Sequence, residues 1–480
     1  MTAILLVGIS LVVACSSGGS DVLVRQADPP ATTSETTLTT EVPPTPTAVS
    51  TRPSPTRPTT AASDTTSAPI APVEPALGVG DSLFPGLGSS DIDVIAYDVA
   101  LTYDPANDRL SGGAAIDAVL LVDADTVPLD VIGLTISSVT VDGDRASWTT
   151  EGDELLVQLP EPRALASHVR VEVGYDVSGR YRSNETGFDV GWFDTDDGSY
   201  VLNEPDGARA WLPVSDHPSD KATWRFEITV PEGTTAVANG ELVDEIHGED
   251  EVTWVWAELE PMTSYAILLL TGDYEVVDSG SAAGVDMLHA VLRSSRDALA
   301  AYEAVTAEQL EFFVERFGPY PFDRYGLAIT ESAPGFAMET QGRSLFSAVE
   351  FDGTLGYLQH LLLAHELAHQ WFGNAVSPAR WTDIWLNEGF ATYAEWMWLD
   401  EVGLQSLELA ARSALSGQQG APVPVGEPTV DRLFGRGVYQ GGAMVVHALR
   451  GEVGDDEFFE ILRQWVVRYS GRSATSDDFI

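Results

Sequence analysis

Two histidines four residues apart, with a glutamate directly after the first, stand in the stretch LLLAHELAHQWFGN at 361–374. On a helix, residues i and i+4 share a face, so His365 and His369 can turn both imidazoles toward one ion while Glu366 stands beside them. The same apolar run also fits a core helix whose histidines are satisfied internally. A second stretch separates these readings. Beyond the first stretch, WTDIWLNEGFATYAEW has helical character and carries Glu388, with eighteen residues between His369 and that glutamate. Two imidazoles from one helix and a carboxylate from the next leave one coordination position open to water, which is the donor set of a hydrolytic zinc site. Glu395, seven residues after Glu388 on the same helix face, either orients a ligand histidine or sits on the surface in a salt bridge.

The elements that must position these groups follow from hydrophobic patterning. From about 88 to 275, short alternating runs such as AYDVALTY, VRVEVGYDV and WRFEITV are separated by Gly, Asp, Asn and Pro. This predicts an all-β domain over 81–275, a sandwich or saddle-shaped sheet. From about 286 helices are expected to dominate. SRDALAAYEAVTAEQLEFFVERFG has helical periodicity ending at Gly318 and Pro319. YGLAITESAPGFAMETQGRSLFS is expected to form strands and loops, followed by helices at about 355–373 and about 383–400 and two more after Tyr439. The fold class is therefore α+β and multidomain, with a mainly α catalytic domain over 276–480. The final SATSDDFI has a helix start with no helix after it, so the chain is expected to continue beyond 480.

With its spaced H-E-x-x-H and glutamate, the chain resembles the M1 family of zinc aminopeptidases, of the gluzincin group, from about residue 90 onward. The resemblance implies a thermolysin-like catalytic domain and one Zn²⁺ per chain held by His365, His369 and Glu388. Glu366 would then serve as the general base. An aminopeptidase must also recognise a free α-amino group, most simply with a pair of carboxylates near the metal. GFAMETQG resembles the family's G-x-M-E-N element. Ala337, Met338 and Glu339 match it, with Phe336 and Thr340 replacing the usual glycine and asparagine. Here Glu339 would bind the substrate amine, and the segment is expected to be an edge strand that pairs with substrate backbone. LNEPDGARAWLPVSDHPSDKATW resembles the family's β-domain stretch through Glu204, Ala208, Arg209, Pro213, Asp216, Pro218, Lys221 and Ala222. By this resemblance Glu204 would be the second amine carboxylate, and Leu202 in place of a glutamine implies an apolar first pocket. GVYQGGAMVVHALR resembles the Y-E-K-G-A element, with Tyr439 as the oxyanion donor and Gln440 and Gly441 replacing Glu-Lys. The remaining histidines, His168, His217, His247, His289, His360 and His447, are read as structural or surface residues.

A formal charge of −48 argues against nucleic acid and anionic lipid as partners. The sole cysteine, Cys15, rules out an intrachain disulfide and follows the apolar run MTAILLVGISLVVA. That run resembles a bacterial lipoprotein signal with its lipobox over 1–15. Residues 16–80, rich in Ser, Thr and Pro, read as a disordered tether spanning on the order of 40 Å. A lipid-anchored, extracytoplasmic zinc aminopeptidase acting on peptides with a free N-terminus is the resulting expectation. The rivals are a zinc endopeptidase or other hydrolase on the same scaffold, and an inert surface binding protein. Oligomeric state and preferred N-terminal residue are not encoded in these patterns.

Overall fold

The structure is a computed structural model that describes residues 74–177, 181–183, 186–195, 198–331, 337–417 and 424–480. Cys15, the apolar run before it, the tether up to residue 73 and Phe336 lie outside these residues.

The β domain is built on an eight-stranded sheet. Its order is Glu241–His247, Glu251–Thr263, Lys221–Pro231, Ile92–Asp104, Arg109–Leu120, His168–Val177, Thr135–Val141 and Asp144–Arg145. Ile92–Asp104 pairs in parallel with Lys221–Pro231, and the other neighbours are antiparallel. Alternation drives this sheet: Tyr97, Val99, Leu101 and Tyr103 point inward while Ala100 and Thr102 are exposed. A three-stranded sheet contributes Val127, Leu155 and Val157 to the same core. A five-stranded sheet, ordered Thr235–Ala238, Leu269–Gly272, Ser199–Leu202, Asp189–Asp194 and Tyr181–Arg182, brings Leu202 and the following Glu204 toward the catalytic domain's residues.

The catalytic domain opens with a hairpin, Tyr274–Ala282 and Val285–Leu292, so the expected junction at 275/276 falls inside a strand. These strands join Leu327–Thr330, Ser344–Ser347 and, at the edge, Ala337–Met338. The edge strand pairs antiparallel with Ser344–Ser347 through Ala337–Phe346 and Met338–Leu345. Helices α1 (Arg296–Phe317), α2 (Tyr357–Ala368), α3 (Trp385–Glu401), α4 (Leu407–Gly417), α5 (Tyr439–Val453) and α6 (Asp455–Tyr469) follow. Gly318 ends α1 at φ +94. Helix α2 is shorter than the apolar pattern predicts. Gly373 at φ +136 turns the chain, and Trp371 and Phe372 are buried in that turn instead of continuing the helix. Helix α4 was not anticipated; its buried face is Ala410, Ala411 and Ala414. At the far end, Thr475 caps the short helix Ser476–Phe479, as SATSDDFI predicts. Among the described residues, no helix is long and apolar enough to cross a membrane.

Helices α3 and α5 touch backbone to backbone. A Cβ added to Gly442 would lie 2.7 Å from Gly389 Cα. Gly442→Ala is therefore expected to cost about 1–3 kcal/mol, the usual penalty for overpacking. Urea unfolding of the variant against the unmutated protein measures this; equal midpoints would mean the helices separate freely.

Candidate metal centre

Helices α2 and α3 pack together, and their contact faces bring the H-E-x-x-H pair to Glu388. Donor atoms of His365, His369 and Glu388 all lie within 4.8 Å of one another, and the three residues are buried. His365 Nε2 is 3.1 Å and His369 Nε2 3.5 Å from the same oxygen, Glu388 Oε2. Ligands of a tetrahedral zinc at its usual bond lengths stand about 3.3 Å apart, so this donor set fits one such ion.

The outer nitrogens are also occupied. His365 Nδ1 lies 2.5 Å from Glu395 Oε1, and His369 Nδ1 lies 3.1 Å from the Phe372 carbonyl oxygen. Each acceptor holds a proton on Nδ1 and leaves Nε2 free to ligate. Glu395 is buried in this role, which resolves its two alternatives. Burial raises the Glu388 carboxyl, but the His369 and His365 rings outweigh it and bring the group down to about 2. For Glu366 burial prevails, and it is pushed up to about 8 against the pull of both rings.

Four further predicted groups converge here. Oxygens of Glu204, Glu339 and Glu388 lie within 4.8 Å of one another, as do donor atoms of Glu339, Glu366 and His369. Glu204 Oε1, Glu339 Oε1 and Glu366 Oε2 are buried without a protein partner, and Glu339 belongs to both clusters. The Tyr439 ring stacks on His365 with centroids 5.8 Å apart at 7°. Ala337 and Met338 lead directly into Glu339 from the sheet edge. Leu202 is buried, and Thr340 turns its hydroxyl inward to the Arg343 carbonyl.

The other histidines take structural or surface places. His360 accepts from Trp398 Nε1, His289 accepts from the Leu327 amide, and His217 lies against Asp81 and Ser219. His447 lies against the Tyr393 hydroxyl, while His168 and His247 are exposed.

Tyr265, Asn203 and Asn387, which the sequence patterns do not single out, fasten the site together alongside Arg209 and Asp216 of the β-domain stretch. Tyr265, at the end of the β domain, donates to Gly373 O (3.2 Å) and accepts from Asn387 Nδ2 (3.1 Å). One phenol thus joins the loop after His369 to the residue before Glu388. Asn203 brackets Glu204, donating to Ile267 O and accepting from Trp211 Nε1. Below it, Asp216 accepts from the Arg209 amide and from Ser264 Oγ, and Arg209 pairs with Asp206 at 2.7 Å. No periodicity marks such long-range polar pairs, although Asn203 and Asn387 each adjoin a glutamate already singled out.

The chain is similar to known proteins over most of its described length. The Peptidase M1 N-terminal domain matches residues 94–266, and the Peptidase family M1 domain matches residues 301–480. Probable aminopeptidase 1 of Sulfurisphaera tokodaii is 28% identical over 371 residues, covering 72% of this chain and 45% of that protein. Leucyl aminopeptidase of Saccharolobus solfataricus is 26% identical over 413 residues, covering 81% and 51%. The chain spans about half the length of these curated relatives. The crystal structure of an M1 zinc metallopeptidase from Deinococcus radiodurans superposes with a TM-score of 0.77 at 30% identity, covering 84% of this chain and 92% of that one. A mutant of that enzyme, solved with a Tyr-Ser-Ala substrate, superposes with a TM-score of 0.76 at 30% identity, over 83% of this chain and 92% of that one.

Proposed function

Because the chain belongs to peptidase family M1, we propose that it is a zinc aminopeptidase that removes the N-terminal residue from peptides. The observation that carries the reading is the cluster of unsatisfied carboxylates beside the metal-ligand triad. Held by His365, His369 and Glu388, zinc supplies Lewis acidity and lowers the pKa of water toward about 7. Glu366 accepts a proton from the attacking water and returns it to the leaving amine. Tyr439 donates its O–H to the oxygen that gains charge as the scissile carbonyl is attacked. Glu204 and Glu339 receive the substrate ammonium, and their desolvated oxygens penalise a blocked terminus that brings no charge. The edge strand Ala337–Met338 offers backbone groups to an extended peptide. Leu202 gives the pocket for the first side chain an apolar wall.

Cys15 is proposed as a lipid anchor that holds the domain outside the cytoplasm; its support is the sequence of residues 1–15 alone.

The test compares hydrolysis of aminoacyl amides with free and with N-acetylated termini. A preference for free termini of about tenfold or more is expected, and Glu339→Gln is expected to raise KM for the free substrate by a similar factor, the loss of one charge-assisted contact. Equal cleavage of blocked substrates would point to an endopeptidase on the same metal site.

A further inference from the structure

All basic side chains but one are arginines; the exception is Lys221. It begins the strand Lys221–Pro231 of the β domain, and its ammonium crosses to the catalytic domain. There Nζ donates to Asn374 O at 2.6 Å and reaches Ala375 O at 3.4 Å. Two consecutive carbonyls suit a compact tetrahedral ammonium. The planar, forked guanidinium used everywhere else in the chain needs more room and a flatter acceptor.

Asn374 is a junction. Its backbone N–H donates to His369 O at 2.9 Å, and its side-chain Nδ2 donates to Glu339 O at 2.6 Å. Asn374 and Glu339 are both buried, so neither hydrogen bond is exchanged with water. The second histidine of the metal triad and the expected amine-binding glutamate are therefore joined through one residue, whose carbonyl is gripped by the sole lysine. Tyr265 holds the preceding Gly373 carbonyl from the same domain. The β domain thus grips this loop at adjacent residues.

We propose that Lys221 is a positioning residue for substrate recognition: through Asn374 it fixes Glu339 relative to His369 and so sets selectivity for an unblocked N-terminus. This rests on the aminopeptidase reading and extends it to a residue that touches no substrate.

The test measures kcat and KM for free and acetylated amides with the unmutated protein, Lys221→Met and Lys221→Arg, alongside zinc content. The expected result for Lys221→Met is one zinc per chain, kcat within about threefold, and a preference for free termini reduced about tenfold through KM, the effect of losing one buried hydrogen bond. Lys221→Arg should rescue only part of that loss. If the unmutated protein prefers free termini and Lys221→Met keeps that preference, the positioning role is overturned while the aminopeptidase reading stands. If the unmutated protein shows no preference, both fall.

A second measurement needs no variant. With ¹³C-labelled lysine, Lys221 gives a single Cε resonance. It is expected to shift on adding leucinamide and not on adding N-acetyl-leucinamide. No shift with either, while leucinamide inhibits turnover, would equally overturn the role.

Discussion

Glu366→Gln is expected to lower kcat by about 10²–10⁴-fold while the protein retains one zinc per chain. Glu366 lies on α2 between the two histidines, 4% exposed, with Oε2 free of any protein partner. Glutamine keeps the volume and the packing of that side chain and removes only its capacity to take a proton. The metal ligands are other residues, so metal content measured by plasma mass spectrometry should be unchanged and KM should move little. Stripping the unmutated protein with a chelator should abolish turnover, and added zinc should restore it. The same cycle applied to the variant should restore nothing. Loss of zinc from Glu366→Gln would make this residue a ligand, and retained kcat would require another base.

Tyr439→Phe should reduce kcat by about 10²–10³-fold, the typical effect of removing one oxyanion donor. The substitution is clean because the ring's contact with His365, stacked at 5.8 Å and 7°, needs no hydroxyl. Burial, reinforced by Glu388 and Glu204, keeps the phenol protonated and able to donate. Tyr439 sits at the first turn of α5, one helical turn before the close crossing of Gly442 with Gly389 on α3. The kinetic split separates the roles. A drop in kcat with KM steady fits a group that acts on developing charge, whereas a rise in KM alone would assign Tyr439 to ground-state binding.

Much of this site was legible before any coordinates. The i, i+4 spacing of His365 and His369 is a property of a single helix, and Glu388 lies on the next long helix. A local period therefore sufficed for the histidine pair, whereas Glu388 was added by the spacing of the second stretch and by the family resemblance. Strand alternation in the β domain and the end of α1 at Gly318 followed from equally local signals, because the strands bury one face and a glycine stops the helix. Gly373 shows where that reasoning stops. Trp371 and Phe372 continue the apolar pattern of the helix, yet they are buried around a turn, and hydrophobicity alone does not distinguish the two.

What the amino-acid order determined by itself was the i, i+4 spacing of His365 and His369 and the kind of element carrying each candidate group; the roles of Glu339, Glu204 and Tyr439 came from the family resemblance. Only the tertiary structure decided how they are held. Glu395 acquired a role when α2 packed on α3 and put His365 Nδ1 within 2.5 Å of it. Tyr265 reaches Asn387 across 122 residues of chain and Lys221 reaches Asn374 across 153. Such pairs depend on the docking of one domain's sheet against another's helices. A polar side chain meeting a distant carbonyl leaves no period and no spacing in the chain that carries it.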